Sequence, residues 1–546
     1  MSRVFRSSDL SPVLSPPFKS SEEIRRNKAP NETLSFHLLA IDLFLILGIA
    51  RRCFYFQSLF ARSPVRSSEN PFLTASGKAD KIEVNSEGVH RMDRRTEILK
   101  GSITKVLFVL MWPIVLGNLM QTAYNLADTF WLGKLSKEAL AAPTISWPII
   151  WLMLSLSDGI GVAGTALVAQ HTGAGNREEA NRAAGQVLAF LLIISCLLAT
   201  AGFLLIPYLM RWMGVEPMLF DKAVSYSRIV FASIPFMFGF FVFSGLLRGV
   251  GDTVTPMKLG AISVILNIIL DPLLIFGVGF FPRLEVSGAA IATAFSRGVA
   301  TIAAIYLLFS GKVGVKVSAH HLRLRMDMVK KIVKIGIPSS MGSSGSALAF
   351  TMLMKVIASF GTAAISAHGV GNRVTSILRM PIFGLAAATA TMVGQNLGAD
   401  QIKRARRSVW TATGLGFMMM VAGGILCLLL RQYLVRIFID DPDVVRLGSR
   451  FFSITAFSMP LFAVSRLTSS AFQGSGHTIY SMGLSLFNLW VLLLPSAYLA
   501  GRILGWGVTG VWMAMVWSNL ITAVASLLLF VRGVWERKVI EEVRDV

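Results

Sequence analysis

From Lys105 onward, twelve apolar runs follow one another, at about 106–132, 140–169, 184–210, 226–248, 257–280, 287–310, 332–359, 363–393, 408–430, 450–473, 479–499 and 508–531. Crossing a bilayer takes roughly 20 residues of helix, and each run is about that long or longer. In hydrocarbon every backbone N–H and C=O must be satisfied within the protein, so runs of this length are expected to be helices. The chain therefore reads as an all-α polytopic membrane protein. Its composition agrees: 54% of residues are hydrophobic and 15% charged, against about 25% charged in soluble domains. The mean hydropathy is +0.63.

Charge sets the expected orientation. A net charge of +22 would suit nucleic acid in a soluble protein. In a polytopic one, Lys and Arg collect in cytoplasmic loops. The loops after even-numbered runs hold Arg177, Arg182, Arg248, Lys258, the set from Lys312 to Lys334, and Lys403, Arg404, Arg406 and Arg407. Loops after odd runs are richer in acids, such as Glu216, Asp221, Asp440, Asp441 and Asp443. Both termini are thus expected in the cytoplasm, with the bundle in the plasma membrane and no nucleic-acid partner. Cys53, Cys196 and Cys427 form no disulfide framework and no zinc-ligand spacing.

Residues 1–91 differ from the rest. They begin polar and rich in Ser and Pro, and are expected to be poorly ordered. A short apolar segment at 36–50 carries Asp42 and is followed by Arg51 and Arg52. Met92 opens a basic lead-in and is an alternative start. The expected organisation is a 1–91 extension, a first lobe at 92–310, a basic cytoplasmic linker at 311–331, a second lobe at 332–531 and a cytoplasmic tail at 532–546.

The two lobes are related by a shift of 225 residues. Pro113 falls on Pro338, Gly117 on Gly342, Gln170 on Gln395, Gly173 on Gly398 and Pro235 on Pro460. "RGVGDT" (248–253) falls on "QGSGHT" (473–478). The matches lie at Gly, Pro and Gln, which are not interchangeable as Leu and Val are. Two pseudo-symmetric six-helix bundles follow. Repeats of this kind belong to transporters, with the path between the halves. The symmetry breaks at the acids: Asp128 falls on Leu353, Asn267 on Leu492 and Asp271 on Ser496.

Those acids define the candidate site. An ionised acid at mid-bilayer costs roughly 2.5–3.5 kcal/mol even on a lenient insertion scale, so such residues are functional candidates. Gln121, Tyr124, Asn125 and Asp128 lie at i, i+3, i+4 and i+7 on one face of the first helix. In "NIILDPLLIFG" of the fifth, Asn267 and Asp271 are i, i+4. Pro272 removes a backbone donor and frees a carbonyl nearby. Carboxylates, an amide and a freed carbonyl suit a hard monovalent cation. Two carboxylates in low dielectric also suit a proton. Thr293 of the sixth helix could add an oxygen. Asp128, Asn267 and Asp271 are thus the candidate ligands for Na⁺ or H⁺, with Gln121 and Tyr124 as nearby polar lining.

Other polar residues are more ambiguous. Asp158 is either a cavity-facing group or a partner for Arg373 or Arg379. In "GDTVTPM" Thr255 is expected to cap a helix that begins at Pro256, leaving Asp252 a solvated loop acid. Arg373 is expected either to line the second lobe or to snorkel. No Walker A sequence is present, so no ATP site drives transport.

The motifs "LADTFWLGKL", "GTALVAQHTGAG", "LRGVGDTVTPM", "NIILDPLLIFG" and "GAAIATAFSR" together resemble the first-lobe signatures of multidrug and toxic compound extrusion (MATE) transporters. The resemblance covers about residues 95–530. It implies a V of two six-helix bundles and alternating access. It also implies cation-coupled export of organic, often cationic compounds, with the ion at Asp128, Asn267, Asp271 and Thr293. One branch of the family carries a glutamate in the seventh helix and an aspartate in the tenth. Here neither helix has an acid, so the chain resembles the branch with a first-lobe site, similar to archaeal members.

The expected function is antiport of H⁺ or Na⁺ against a small organic substrate, with ion binding bending the first helix. The protein is expected to be a monomer, with no enzymatic activity and no cofactor beyond the coupling ion. The alternative is a flippase for lipids or lipid-linked oligosaccharides, for which Arg297, Lys355, Arg373, Arg379 and Arg466 could supply cavity cations.

Overall fold

The computed structural model describes residues 94–541. The features expected within 1–91, including the 36–50 segment, lie outside the described residues. A short helix, Arg94–Lys100, leads into α1 (Ile103–Leu135), α2 (Lys137–Gly173), α3 (Arg177–Trp212), α4 (Pro217–Val250), α5 (Val254–Phe276) and α6 (Glu285–Ser310). The second half supplies α7 (Met326–Ala358), α8 (Thr362–Gly398), α9 (Ile402–Leu429), α10 (Pro442–Thr455 with Ser458–Ser475), α11 (Thr478–Ile503) and α12 (Gly507–Val531). Eleven of these are single helices long and apolar enough to span, and α10 is a pair bent by 48°. Among the described residues there is no strand.

The 225-residue shift holds in the helix bounds. α2 falls on α8 end for end, and Pro217 at the start of α4 falls on Pro442 at the start of α10. The bent pair is thus one span whose counterpart in the first half is a single helix. α4 and the second piece of α10 stop at Gly251 (φ 87°) and Gly476 (φ 83°), again 225 apart. Both adopt the left-handed conformation that ends a helix and favours glycine.

α5 and α11 depart from symmetry in winding as well as chemistry. α11 carries π-helical turns at Phe487–Leu493 and Leu499–Ile503, flanking Pro495. Proline has no N–H to bond back one turn, so the helix unwinds around it. The positions matching Asn267 and Asp271, Leu492 and Ser496, lie in that disturbed stretch.

The first helix of each half crosses to the other. Val106, Leu107, Leu110, Met111 and Val115 of α1 join the apolar core of the second half. Met328, Ile332 and Ile335 of α7 join the core of the first. Leu107 and Ile332, and Leu110 and Ile335, are repeat mates. These crossings lie in the halves of α1 and α7 nearest the face where α1 begins and α12 ends, here termed the terminal face.

On that face the ends of α2 and α8 cross at bare backbone. A Cβ on Gly173 would lie 1.9 Å from the Gln395 carbonyl oxygen, and one on Gly398 2.0 Å from that of Gln170. Gln395 Nε2 donates to the Gly249 carbonyl (2.8 Å) at the end of α4. Its mate Gln170 donates to Ser475 O (3.0 Å) at the end of α10. The segment after α12 covers this crossing. Trp535 is buried, stacked on Phe530 at 5.3 Å, and the Val539 N–H donates to Gln170 Oε1 (3.1 Å).

The start of α5 differs from the sequence expectation. Thr255 does not cap it and Asp252 is not solvated. α5 begins at Val254. Asp252 is buried and accepts from the Val254 and Thr255 N–H groups (3.1 Å each) and from Thr255 Oγ1 (2.7 Å). A charged carboxylate is a stronger acceptor than a hydroxyl, and it takes the cap. Arg94 compensates its charge at 2.6 Å. Asp252→Ala is expected to destabilise the protein by about 1–2 kcal/mol, the usual cost of a lost cap. A lowered thermal midpoint in detergent would show it; an unchanged one would mean the cap is dispensable.

Candidate functional site

The polar residues of α1, α5 and α6 meet inside the first six helices. Asn267 and Asp271 are fully buried and Tyr124 nearly so. The one-turn spacing of Asn267 and Asp271 lets the amide Nδ2 donate to Asp271 Oδ1 (3.1 Å). Asp128 on α1 lies beside Asp271, Asn267 and Tyr124. Tyr124 OH shares a 2.5 Å hydrogen bond with Thr293 Oγ1, fastening α1 to α6. Tyr226 of α4 lies near both acids. The structure thus brings together Asp128, Asn267, Asp271, Tyr124 and Thr293, from three helices.

Three oxygens in this cluster are buried and accept no hydrogen bond: Asp128 Oδ1, Asn267 Oδ1 and Asp271 Oδ2. Buried acceptors normally find donors, because leaving one bare costs roughly 1–3 kcal/mol. Oxygen-only acceptors from two carboxylates and an amide fit a hard cation, and a proton between the two carboxylates would equally satisfy them. Bridging water is a third way to satisfy such atoms.

Gln121 stands apart from the acids. Its Oε1 accepts from Arg297 Nη2, and its Nε2 donates to Asn125 (3.3 Å). Arg297 is buried, 5.3 Å from the Tyr124 ring and 5.8 Å from that of Phe240. Sequence reasoning treated Arg297 only as a flippase cavity cation. The missed signal was its spacing: Thr293 and Arg297 are i, i+4 on one face of α6.

Asp158 pairs with neither Arg373 nor Arg379. Its Oδ2 accepts from Ser343 of α7 (3.4 Å), across the boundary between the halves. Glu178, His320 and His321 also bring metal-ligand atoms together, within 4.8 Å of one another. His321 Nδ1 accepts from the Ser318 N–H (3.1 Å), which places the ring proton on Nε2, facing Glu178 at 2.9 Å. A metal would need that nitrogen bare, so the trio reads as a brace for the segment between α6 and α7.

Comparison with known proteins agrees with this architecture. The family model MatE matches residues 113–273 and 338–499, once in each half. The Bacillus subtilis protein named probable multidrug resistance protein YoeA is 27% identical, over 80% of this chain and 96% of that protein. The Thermotoga maritima protein named probable multidrug resistance protein NorM is 28% identical, over 80% of this chain and 94% of that protein. Among solved structures, one described as MATE in complex with MaL6 superimposes with a TM-score of 0.75 at 27% identity, covering 80% of this chain and 97% of the other.

Proposed function

The chain belongs to the MatE family of multi-pass membrane transporters, and from that premise we propose that it exports drug-like organic compounds, often cationic, in exchange for H⁺ or Na⁺. The bundle lies in the plasma membrane with both termini cytoplasmic, as the distribution of Lys and Arg favours. The terminal face is then the cytoplasmic one. Its α2–α8 crossing is closed in this conformation, and alternating access requires that crossing to part.

The observation that carries the coupling reading is the set of three buried, unsatisfied oxygens shared by Asp128, Asn267 and Asp271. A bound cation or proton satisfies acceptors that the protein itself leaves bare. Tyr124 and Thr293 tie the same helix, α1, to α6. Occupancy at Asp128 therefore acts on the wall of the cleft, and bending of α1 is the motion it drives. An ion can shift this equilibrium only by its difference in affinity for the two states.

The test is uptake of a fluorescent organic cation into proteoliposomes, with pH and Na⁺ gradients imposed separately at fixed membrane potential. The expected result is transport driven by at least one gradient. Transport driven by ATP and by neither gradient would overturn the antiporter.

A further inference from the structure

The first half carries acids where the second has none, and the second carries bases where the first has none. Arg379 of α8 falls on Leu154 in the repeat, and Arg466 of α10 falls on Phe241. The two arginines form a reciprocal arrangement. Arg379 lies 4.8 Å from the Phe462 ring on α10. Arg466 lies 5.4 Å from the Phe383 ring on α8. The rings meet edge to face at 6.0 Å. Arg379 and Phe383 are i, i+4, as are Phe462 and Arg466, so each helix presents one cation and one ring on a single face.

No carboxylate pairs with either guanidinium among the described residues, and both Nε–H groups are buried and donate to nothing. Asp158, the acid whose field reaches Arg466, bonds Ser343 instead. Two like charges within a span need compensation, and intramembrane ionisable groups mark substrate paths. A cation–π contact offsets only part of that cost. Guanidinium forks match carboxylate and phosphate oxygens in pairs. Phe383 is 40% exposed, which leaves an aromatic surface beside the charges.

We propose that Arg379, Phe383, Phe462 and Arg466 bind the oxyanion, carboxylate or phosphate, of a planar aromatic compound that the protein carries. The proposal rests on the exporter reading and extends it from often cationic compounds to aromatic ones that carry an oxyanion. The arginines take the oxyanion and the exposed ring of Phe383 takes the aromatic body. The acids of the first half stay free for the coupling ion.

Equilibrium binding needs no gradient, so it tests this site whether or not Asp128 and Asp271 couple transport. The probes are fluorescein, which carries a carboxylate, and the ethyl ester of tetramethylrhodamine, which shares its ring system but is cationic. Binding would be followed by fluorescence anisotropy on the full chain in nanodiscs of zwitterionic lipid. Fluorescein is expected to bind the wild type, with its Kd raised at least about tenfold by Arg379→Gln or Arg466→Gln, as befits a lost charge-assisted bond. The cationic ester should change less than about twofold, because the removed bonds are to an oxyanion. Arg379→Lys and Arg466→Lys keep the charge and guard against misfolding, and a severalfold loss is expected from them. Equal fluorescein affinity in the wild type and the variants would overturn the proposal. So would fluorescein binding lost in nanodiscs containing phosphatidylglycerol, which would assign the arginines to a lipid headgroup. Failure of gradient-driven transport with fluorescein binding intact would strike the coupling reading alone.

Discussion

Asp271→Asn and Asp128→Asn are each expected to reduce gradient-driven export to the level of protein-free liposomes, with the protein still folded. Asparagine keeps the size of aspartate and one acceptor oxygen, and removes the charge that the proposed antiport needs to hold a cation or exchange a proton. Asp271 already accepts from Asn267 at 3.1 Å, and an Asn side chain at 271 can accept through its carbonyl in the same place. What is lost is the second carboxylate facing Asp128. Antiport requires that ion and substrate alternate on one protein, so loss of the ion site uncouples the cycle. Transport in proteoliposomes measures the first part, and thermal stability in detergent the second. A variant that no longer folds would mean that Asp271 is structural; one that still transports would place coupling elsewhere.

Where sequence was readable, the residue type carried the information. Gly173, Gln170 and their mates mark places where backbones touch or an amide reaches a carbonyl of another helix, and few residues substitute there. Asp128, Asn267 and Asp271 were readable because polar groups in hydrocarbon must face one another. The crossing of α1 and α7 between halves was not readable. Leu107 and Ile332 are apolar whichever neighbour they touch, and hydropathy names no partner. The α5 cap was misread because two acceptors, Asp252 and Thr255, lie within three residues, and charge decided between them. The arginine pair was visible only as scattered cations, since the rings that organise it, Phe383 and Phe462, look like any apolar membrane residues. The packing of the last segment left no periodic signal, because it rests on scattered single contacts such as Trp535 against Phe530, the Val539 N–H on Gln170 and Lys331 on the Ile540 carbonyl.

Gly173→Ala and Gly398→Ala are expected to open the terminal face and to stall the transport cycle on that side. A Cβ at 173 would lie 1.9 Å from the Gln395 oxygen, where ordinary contact begins at 3.4 Å. The obstructing atom is backbone, held in the last turn of α8 where it accepts from the Ala399 N–H (3.0 Å), so no rotamer change relieves it. At 398 the same clash arises at 2.0 Å with Gln170 O. Only separation of α2 from α8 removes the overlap, so a parted state escapes this clash. The substitution therefore penalises one conformation selectively. Overpacking typically costs about 1–3 kcal/mol, which shifts a two-state population by roughly fivefold to more than a hundredfold. The measurement is the distance between spin labels at Arg177→Cys and Lys403→Cys, near the starts of α3 and α9, with the native cysteines replaced. The expected result is a longer distance in either glycine variant, and a longer one still in the double variant. Unchanged distances with normal transport would show that the two glycines are passive and that the gate closes on other contacts.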